Sequence, residues 1–176
     1  MHFSELISQR QSCRSYNPAR TVSTEDLTAC LEAARLAPSA CNSQPWHFTV
    51  CTGETARRAA GTTQDMGMNK FTDDVPCMIV VSEAAYNVSA ALGSRVKKQD
   101  FRSIDIGLAC AQLVLAAQER GLSTCILGWF DEKKLQELLQ LKNRIRLVIA
   151  LGYAADGDPL RPKQRKPLSE IAEFVE

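Results

Sequence analysis

Apolar positions along the chain fall into two periodicities, and the change from one to the other marks out the elements. Leu27, Cys30, Leu31 and Ala34 recur at i, i+3, i+4 and i+7, the spacing of one helical face. Ser23 with Asp26 makes a capping-box-like start, Val22 and Leu27 stand where a hydrophobic staple would close, and Pro38 ends this helix. A shorter helix, capped by Ser4 and finished near Arg10, is predicted ahead of it. Between the two, SCRSYNPAR reads as irregular chain, because Asn17-Pro18 disfavours the helical region. Residues 46–52 (WHFTVCT) alternate and are rich in aromatic and β-branched types, which predicts a strand. Residues 77–83 (CMIVVSE) form a continuous apolar run, more like a central strand covered on both faces, with short, weaker helices in between. Residues 104–120 are apolar nearly all round and stop before Gly121, which suits the left-handed position after a helix. That pattern places a long helix either in the core or in a subunit interface. A third strand is predicted over 124–130 and a fourth over 146–154. Between them Asp131 caps a helix with a Phe130/Leu135 staple and a stripe at Leu135, Leu138 and Leu139.

Strands and helices interleave, yet the turns after the strands lack phosphate-binding glycines, which favours an α+β fold over a doubly wound one. No repeat, low-complexity tract or Gly/Ser linker interrupts the chain, so a single domain over 1–176 is expected. Hydrophobic residues at 45% and charged residues at 23% exclude disordered and fibrous classes. A net charge of +1 argues against a nucleic-acid coat or an acidic tail, so any charge-based function must be local. The longest apolar stretch carries Asp105 and Gln112 and falls short of the ~20 residues a bilayer crossing needs, so no membrane role is expected. MHFSELISQR has no apolar core of a signal peptide. Seven cysteines form no C-x-x-C pair and only two histidines are present, so no metal site is expected. Mostly reduced thiols fit a reducing, cytoplasmic compartment.

Motifs for side-chain or nucleotide chemistry, G-x-G-x-x-G, the P-loop, G-x-S-x-G and H-E-x-x-H, are absent from the sequence. An enzyme built from these residues would depend on a bound cofactor, with the protein supplying orientation and electrostatics. Arg10-Gln11-Ser12-Cys13-Arg14 sets two guanidinium groups and a hydroxyl within five residues, a constellation suited to phosphate because arginine's planar fork donates paired hydrogen bonds. Lys163-Gln164-Arg165-Lys166, between Pro162 and Pro167, is a second basic cluster. Solvated surface charge is the competing reading of both clusters. Ala37-Pro38-Ser39-Ala40-Cys41-Asn42-Ser43-Gln44-Pro45-Trp46 makes an irregular turn between helix and strand. It serves either as a set of amides and hydroxyls that reads a heterocycle's edge or as a plain loop with Trp46 in the core.

These segments together resemble the FMN-dependent nitroreductase family. The resemblance is carried by Arg10-x-Ser12-x-Arg14, by Pro38-Ser39-x-x-Asn42-x-Gln44-Pro45-Trp46, and by Asp105-x-Gly107 opening a long helix that ends in Gly121-Leu122-Ser123-Thr124-Cys125. Gly152-Tyr153 and Arg161-Pro162-Lys163-x-Arg165-Lys166-Pro167-Leu168 complete it, so the matches run in order over nearly the whole chain. The resemblance implies a nitroreductase-like α+β fold, a central and mostly antiparallel sheet flanked by helices, and an intertwined homodimer with FMN at the subunit interface. It implies ping-pong hydride chemistry, in which NADH or NADPH reduces the flavin and a nitroaromatic, quinone or related small-molecule acceptor takes the electrons. The flavin carries the chemistry and no side chain is assigned a catalytic role. Arg10, Ser12 and Arg14 would hold the phosphate and ribityl chain with Lys163 and Arg165, while Pro38, Ser39 and Asn42 of the partner subunit would face the ring. Leu127 and Gly128 fall where the family's backbone approaches the flavin, and Asn69 near a position where members use asparagine. Only about 20 residues separate Glu83 from Ser103, where larger members insert a helical excursion, so this is a compact member. Within the ring-facing loop a thiol at Cys41 could touch flavin or substrate, but a small buried hydrophobe is the expected role. His47 is given no role.

Two further functions stay open on the sequence. One keeps fold and flavin but changes the reaction, as reductive dehalogenases and flavin-cleaving enzymes of the superfamily do. The other is a non-catalytic, nucleotide-binding dimer without flavin.

Overall fold

The computed structural model describes residues 2–176, and its elements follow the two periodicities closely. Four strands, β1 (Trp46–Thr52), β2 (Cys77–Glu83), β3 (Ser123–Leu127) and β4 (Ile145–Gly152), form one sheet in the order β1-β2-β4-β3, with every neighbour antiparallel. Central β2 explains the unbroken apolar run. Its Cys77, Ile79 and Val81 enter the core on one face, and Met78 and Val80 enter a second core on the other.

Six helices cover the two faces: α1 (Phe3–Gln9), α2 (Thr24–Arg35), α3 (Gly53–Gly61), α4 (Val88–Lys97), α5 (Phe101–Glu119) and α6 (Glu132–Leu139). Leu27, Cys30 and Ala34 of α2 join Ile106, Ala109, Cys110, Leu113 and Ala117 of α5 in the first core. Ala56, Ala59 and Ala60 of α3 and Leu135 of α6 fill the second. Burial pushes the thiols of Cys77 and Cys110 up to about 12, so these act as packing groups.

Caps fix where the helices begin. Ser23 Oγ accepts from Asp26 N at 3.0 Å and Asp131 Oδ1 from Lys134 N at 3.0 Å, as the sequence indicated. Asp100 does the same for α5, accepting from Ser103 N at 3.1 Å, so that helix starts three residues before the apolar pattern. Its polar first turn hides the start. The first helix likewise begins at Phe3, with His2 rather than Ser4 at its cap. Gly121 takes φ +74° just past α5, the conformation its position calls for.

The third and fourth strands are shorter at their ends than the apolar pattern. β3 stops at Leu127, opposite Val148, because Gly128 and Trp129 leave the sheet and Asp131 N turns to Thr62 O at 2.8 Å. β4 ends at Gly152, and Ala154 continues only as an isolated bridge to Tyr16. No helix among the described residues is long and apolar enough to cross a membrane.

Candidate functional site

The segment after α1 is held at the sheet edge rather than left free. Ser12 forms a parallel bridge with Thr124 of β3, and Cys13 N donates to Thr124 O at 2.9 Å. Tyr16, buried, bridges Ala154 and donates its hydroxyl to Ala150 O at 3.3 Å. This edge-strand geometry turns alternate side chains inward and outward, so Cys13 is buried while Ser12 and Arg14 stay accessible.

The chain then returns to the same place from its other end. Arg161 donates from Nη2 to Ser12 O at 2.8 Å, and Lys163 Nζ donates to Arg10 O at 2.7 Å. Gln11 is the brace between the two segments: its Oε1 accepts from Arg161 N at 3.0 Å and its Nε2 donates to Pro159 O at 3.1 Å. Arg10, Ser12, Arg14, Arg161, Lys163 and Arg165 thereby line one cleft of about 510 Å³. Partial loss of hydration, with Arg10 and Arg165 as neighbouring like charges, holds the Lys163 ammonium below its ordinary value. Five cations face this one space, and among the described residues that line it none is acidic, with Asp158 paired to Arg161 beside it, so the arrangement suits an anion.

All five sequence-derived residues of the two basic clusters meet in that cleft. The structure adds Arg161 and Gln11, which the motifs contained but to which no role had been given. The signal available for Arg161 was its place at the head of the second basic run. Gln11 had none, since its function is a contact across about 150 positions of chain.

Asn69, Leu127 and Gly128 do not line the cleft but lie near one another. Asn69 takes φ +48° and donates from Nδ2 to Thr63 O at 3.1 Å and to Trp129 O at 3.3 Å, which ties its loop to the chain leaving β3. Leu127 is buried in the second core and Gly128 is exposed beside it. Trp129, half exposed, donates its indole N–H to Asp65 O at 3.2 Å and closes the same contact.

Pro38, Ser39 and Asn42 form a third group, at the end of α2, and also stand outside the cleft within one chain. Ser39 Oγ accepts from Gln44 N at 2.9 Å, and Gln44 Nε2 donates to Asn42 Oδ1 at 3.1 Å. The Asn42 Nδ2 hydrogens have no partner among the described residues, so the amide offers donors outward. Cys41 corrects the expectation of a buried thiol. It is exposed, on the short turn after α2 where it takes a left-handed φ of 51°. His47 lies in β1, exposed, with no side-chain hydrogen bond among the described residues.

An antiparallel four-stranded sheet clad by helices, with a basic cleft built from both ends of the chain, defines an α+β class of protein. The Nitroreductase family profile matches residues 7–153, and the chain belongs to that family. An oxygen-insensitive NADPH nitroreductase of Helicobacter acinonychis is 25% identical over 93% of this chain and 91% of its own. A nitroreductase family protein from Streptococcus pneumoniae TIGR4 has a crystal structure that superposes with a TM-score of 0.83 at 25% identity, covering 99% of this chain and all of its own. A structure from Exiguobacterium sibiricum, solved in complex with FMN, superposes at 0.82 with 23% identity, covering 99% and 98%.

Proposed function

We propose that this protein is an FMN-dependent oxidoreductase that takes electrons from NADH or NADPH and passes them to nitroaromatics, quinones or related small acceptors. The observation that carries the reading is the convergence of the Arg10–Arg14 and Lys163–Arg165 clusters, far apart in sequence, on one cleft. The donor set fits the phosphate of a mononucleotide. Guanidinium forks and an ammonium present paired and single donors to a dianion, and Lys163 already feels an excess of positive charge that such an anion would relieve.

Arg10, Ser12 and Arg14 hold the phosphate and ribityl chain, assisted by Lys163 and Arg165. The homodimer is part of the proposal. Pro38, Ser39 and Asn42, outside the cleft of their own chain, serve the site of the partner subunit, with Asn69, Leu127 and Gly128 beside the ring. Two features of the chain support a dimer. The outer face of α5 leaves Ile104 46% and Leu108 42% exposed, and an apolar groove of about 390 Å³ along Gly107, Val114 and Leu115 runs to Arg10 of the cleft. The tail beyond residue 160 carries Leu168, Ile171 and Phe174 exposed, the last at 90%.

FMN, when bound, supplies the ring that accepts and returns hydride. The protein's own residues bind the anionic end, and the outward amide of Asn42 offers hydrogen-bond donors to the edge where negative charge develops on reduction. That selective stabilisation raises the tendency to accept hydride more than it raises binding.

Heat or acid release of the cofactor, identification by chromatography, and anaerobic titration with each nicotinamide test the reading. FMN that bleaches with NADH or NADPH, followed by turnover with a nitroaromatic, is expected. Recovery of FAD or of no flavin would overturn it. FMN that is reduced but passes no electrons to nitroaromatics or quinones would move the activity to another reaction.

A further inference from the structure

The turn over residues 39–44 adopts a costly backbone. Cys41, Asn42 and Gln44 have φ of 51°, 51° and 48°, left-handed values that residues other than glycine take at a penalty. Bonds inside the turn close it: Asn42 N donates to Ser39 O and Ser43 N to Ala40 O, each at 3.0 Å. They do not fix where the turn stands on the protein.

Two side chains from elsewhere reach its backbone. Asp105, in the second turn of α5 and only 4% exposed, accepts the Ala40 N–H at both carboxylate oxygens, at 3.1 and 3.2 Å. No other donor among the described residues reaches that carboxylate. Asn87, in the link between β2 and α4, donates from Nδ2 to Cys41 O at 2.7 Å, and its backbone N donates to Ser43 Oγ at 3.3 Å. The same side chain caps α4, with Oδ1 accepting from Ala90 N at 2.8 Å.

A carboxyl buried on one N–H is a poor way to stabilise a core, where an apolar residue of similar size would usually serve better. Burial pushes the Asp105 carboxyl above its ordinary value, and the Ala40 N–H pulls it part of the way back. What the group gains is geometric, since its single bond goes to the turn that carries Asn42.

We infer that Asp105 and Asn87 are positioning residues that hold the 39–44 turn in its left-handed form by clamping Ala40 N–H and Cys41 C=O, and so set the Asn42 amide against the ligand. The inference rests on the reading of this turn as the ring-facing one. Asp105 and Asn87 themselves touch only backbone there.

The test uses the protein as purified with FMN saturating, in four forms: wild type, Asp105→Leu, Asp105→Asn and Asn87→Ser. Serine keeps a cap for α4 but cannot donate to Cys41 O. Amide exchange over residues 38–45 is expected to quicken about 10- to 100-fold in Asp105→Leu, the loss of a hydrogen bond to a charged group, with partial rescue in Asp105→Asn, whose Oδ1 can still accept. The rate of flavin reduction should fall about tenfold or more in Asp105→Leu and recover in the same order, while the melting temperature of Asp105→Leu does not fall, because a buried charge has been removed. Should Asp105→Leu fail to fold, Asn87→Ser, at an exposed position, gives the same comparison. Unchanged exchange in Asp105→Leu and Asn87→Ser overturns the clamp whatever cofactor is present. Faster exchange with unchanged reduction rate overturns the positioning role. If wild type retains no flavin, the functional reading fails on its own, and the exchange rates still decide whether the two side chains hold the turn.

Discussion

Arg14 and Arg161 approach the same carbonyl, Ser12 O, from opposite ends of the sequence, at 3.5 and 2.8 Å. Arg161 is tied down by that bond and by Asp158, whereas Arg14 has the long contact alone and is freer to meet an anion. Arg14→Ala is therefore expected to weaken FMN binding about 10- to 100-fold with no change in melting temperature. Arg161→Ala should weaken binding and also loosen the 159–165 segment, which proteolysis would detect. Equal effects of the two variants on proteolysis would contradict this division. Lys163 adds a pH dependence. Its ammonium is held below the ordinary lysine range by lost hydration and by Arg10 and Arg165, and an anion needs it protonated. Affinity should be full at neutral pH and fall as pH rises through that lowered value, before the ~10.4 at which free lysine titrates. Lys163→Arg should move the fall to higher pH, and titration of FMN affinity against pH checks it.

At the scale of elements, the end of β4 links the core to the cleft. A Cβ on Gly152 would stand 2.7 Å from two atoms of the Pro76 ring and 3.2 Å from Tyr16 Cδ1. Proline cannot swing aside as a flexible side chain would, and Tyr16 anchors the segment that carries Arg10, Ser12 and Arg14. Gly152→Ala is expected to destabilise the fold by about 1–3 kcal/mol, and to weaken FMN binding through displacement of Tyr16. Denaturant unfolding together with FMN titration measures both. Lost stability with unaltered affinity would uncouple strand end and cleft. The helices show the complementary case, in which local chemistry is self-sufficient: Ser23 and Asp131 cap their own helices within three residues, so those starts are legible without any neighbour.

For the whole molecule, the exposed face of α5 is the main test of assembly. A glutamate at position 108 would put charge in the middle of an apolar face otherwise made of Ile104, Gly107 and Ala111. Leu108→Glu should convert a dimer to a monomer, with loss of bound flavin, while leaving the helical content intact because the side chain is outside the core. Sedimentation at micromolar concentration, with absorbance at the flavin wavelength, reads both. A monomeric wild type that retains flavin would dispose of the shared site.

Much of this protein was determined locally. The alternating run of β1, the unbroken run of β2, the i, i+3, i+4 stripe of α2 and the caps at Ser23 and Asp131 each arise from neighbours within a few residues, which is why the amino-acid order sufficed to place them. The two basic clusters and the Pro38–Asn42 turn were likewise visible as groups of suitable chemistry. Tertiary structure decided the rest. That the clusters form one cleft depends on Gln11 bridging to the 159–161 segment, and Cys41 stands exposed on a turn whose contacts with Asp105 and Asn87 cross long stretches of chain. The true start of α5 was hidden for a local reason instead: its first turn, capped by Asp100 from three residues before Ser103, carries no apolar periodicity. The physical reason is common to the cleft and the turn: a hydrogen bond between residues 46 to 150 positions apart leaves no periodicity in the chain, and its energy exists only once the sheet and helices have brought donor and acceptor together.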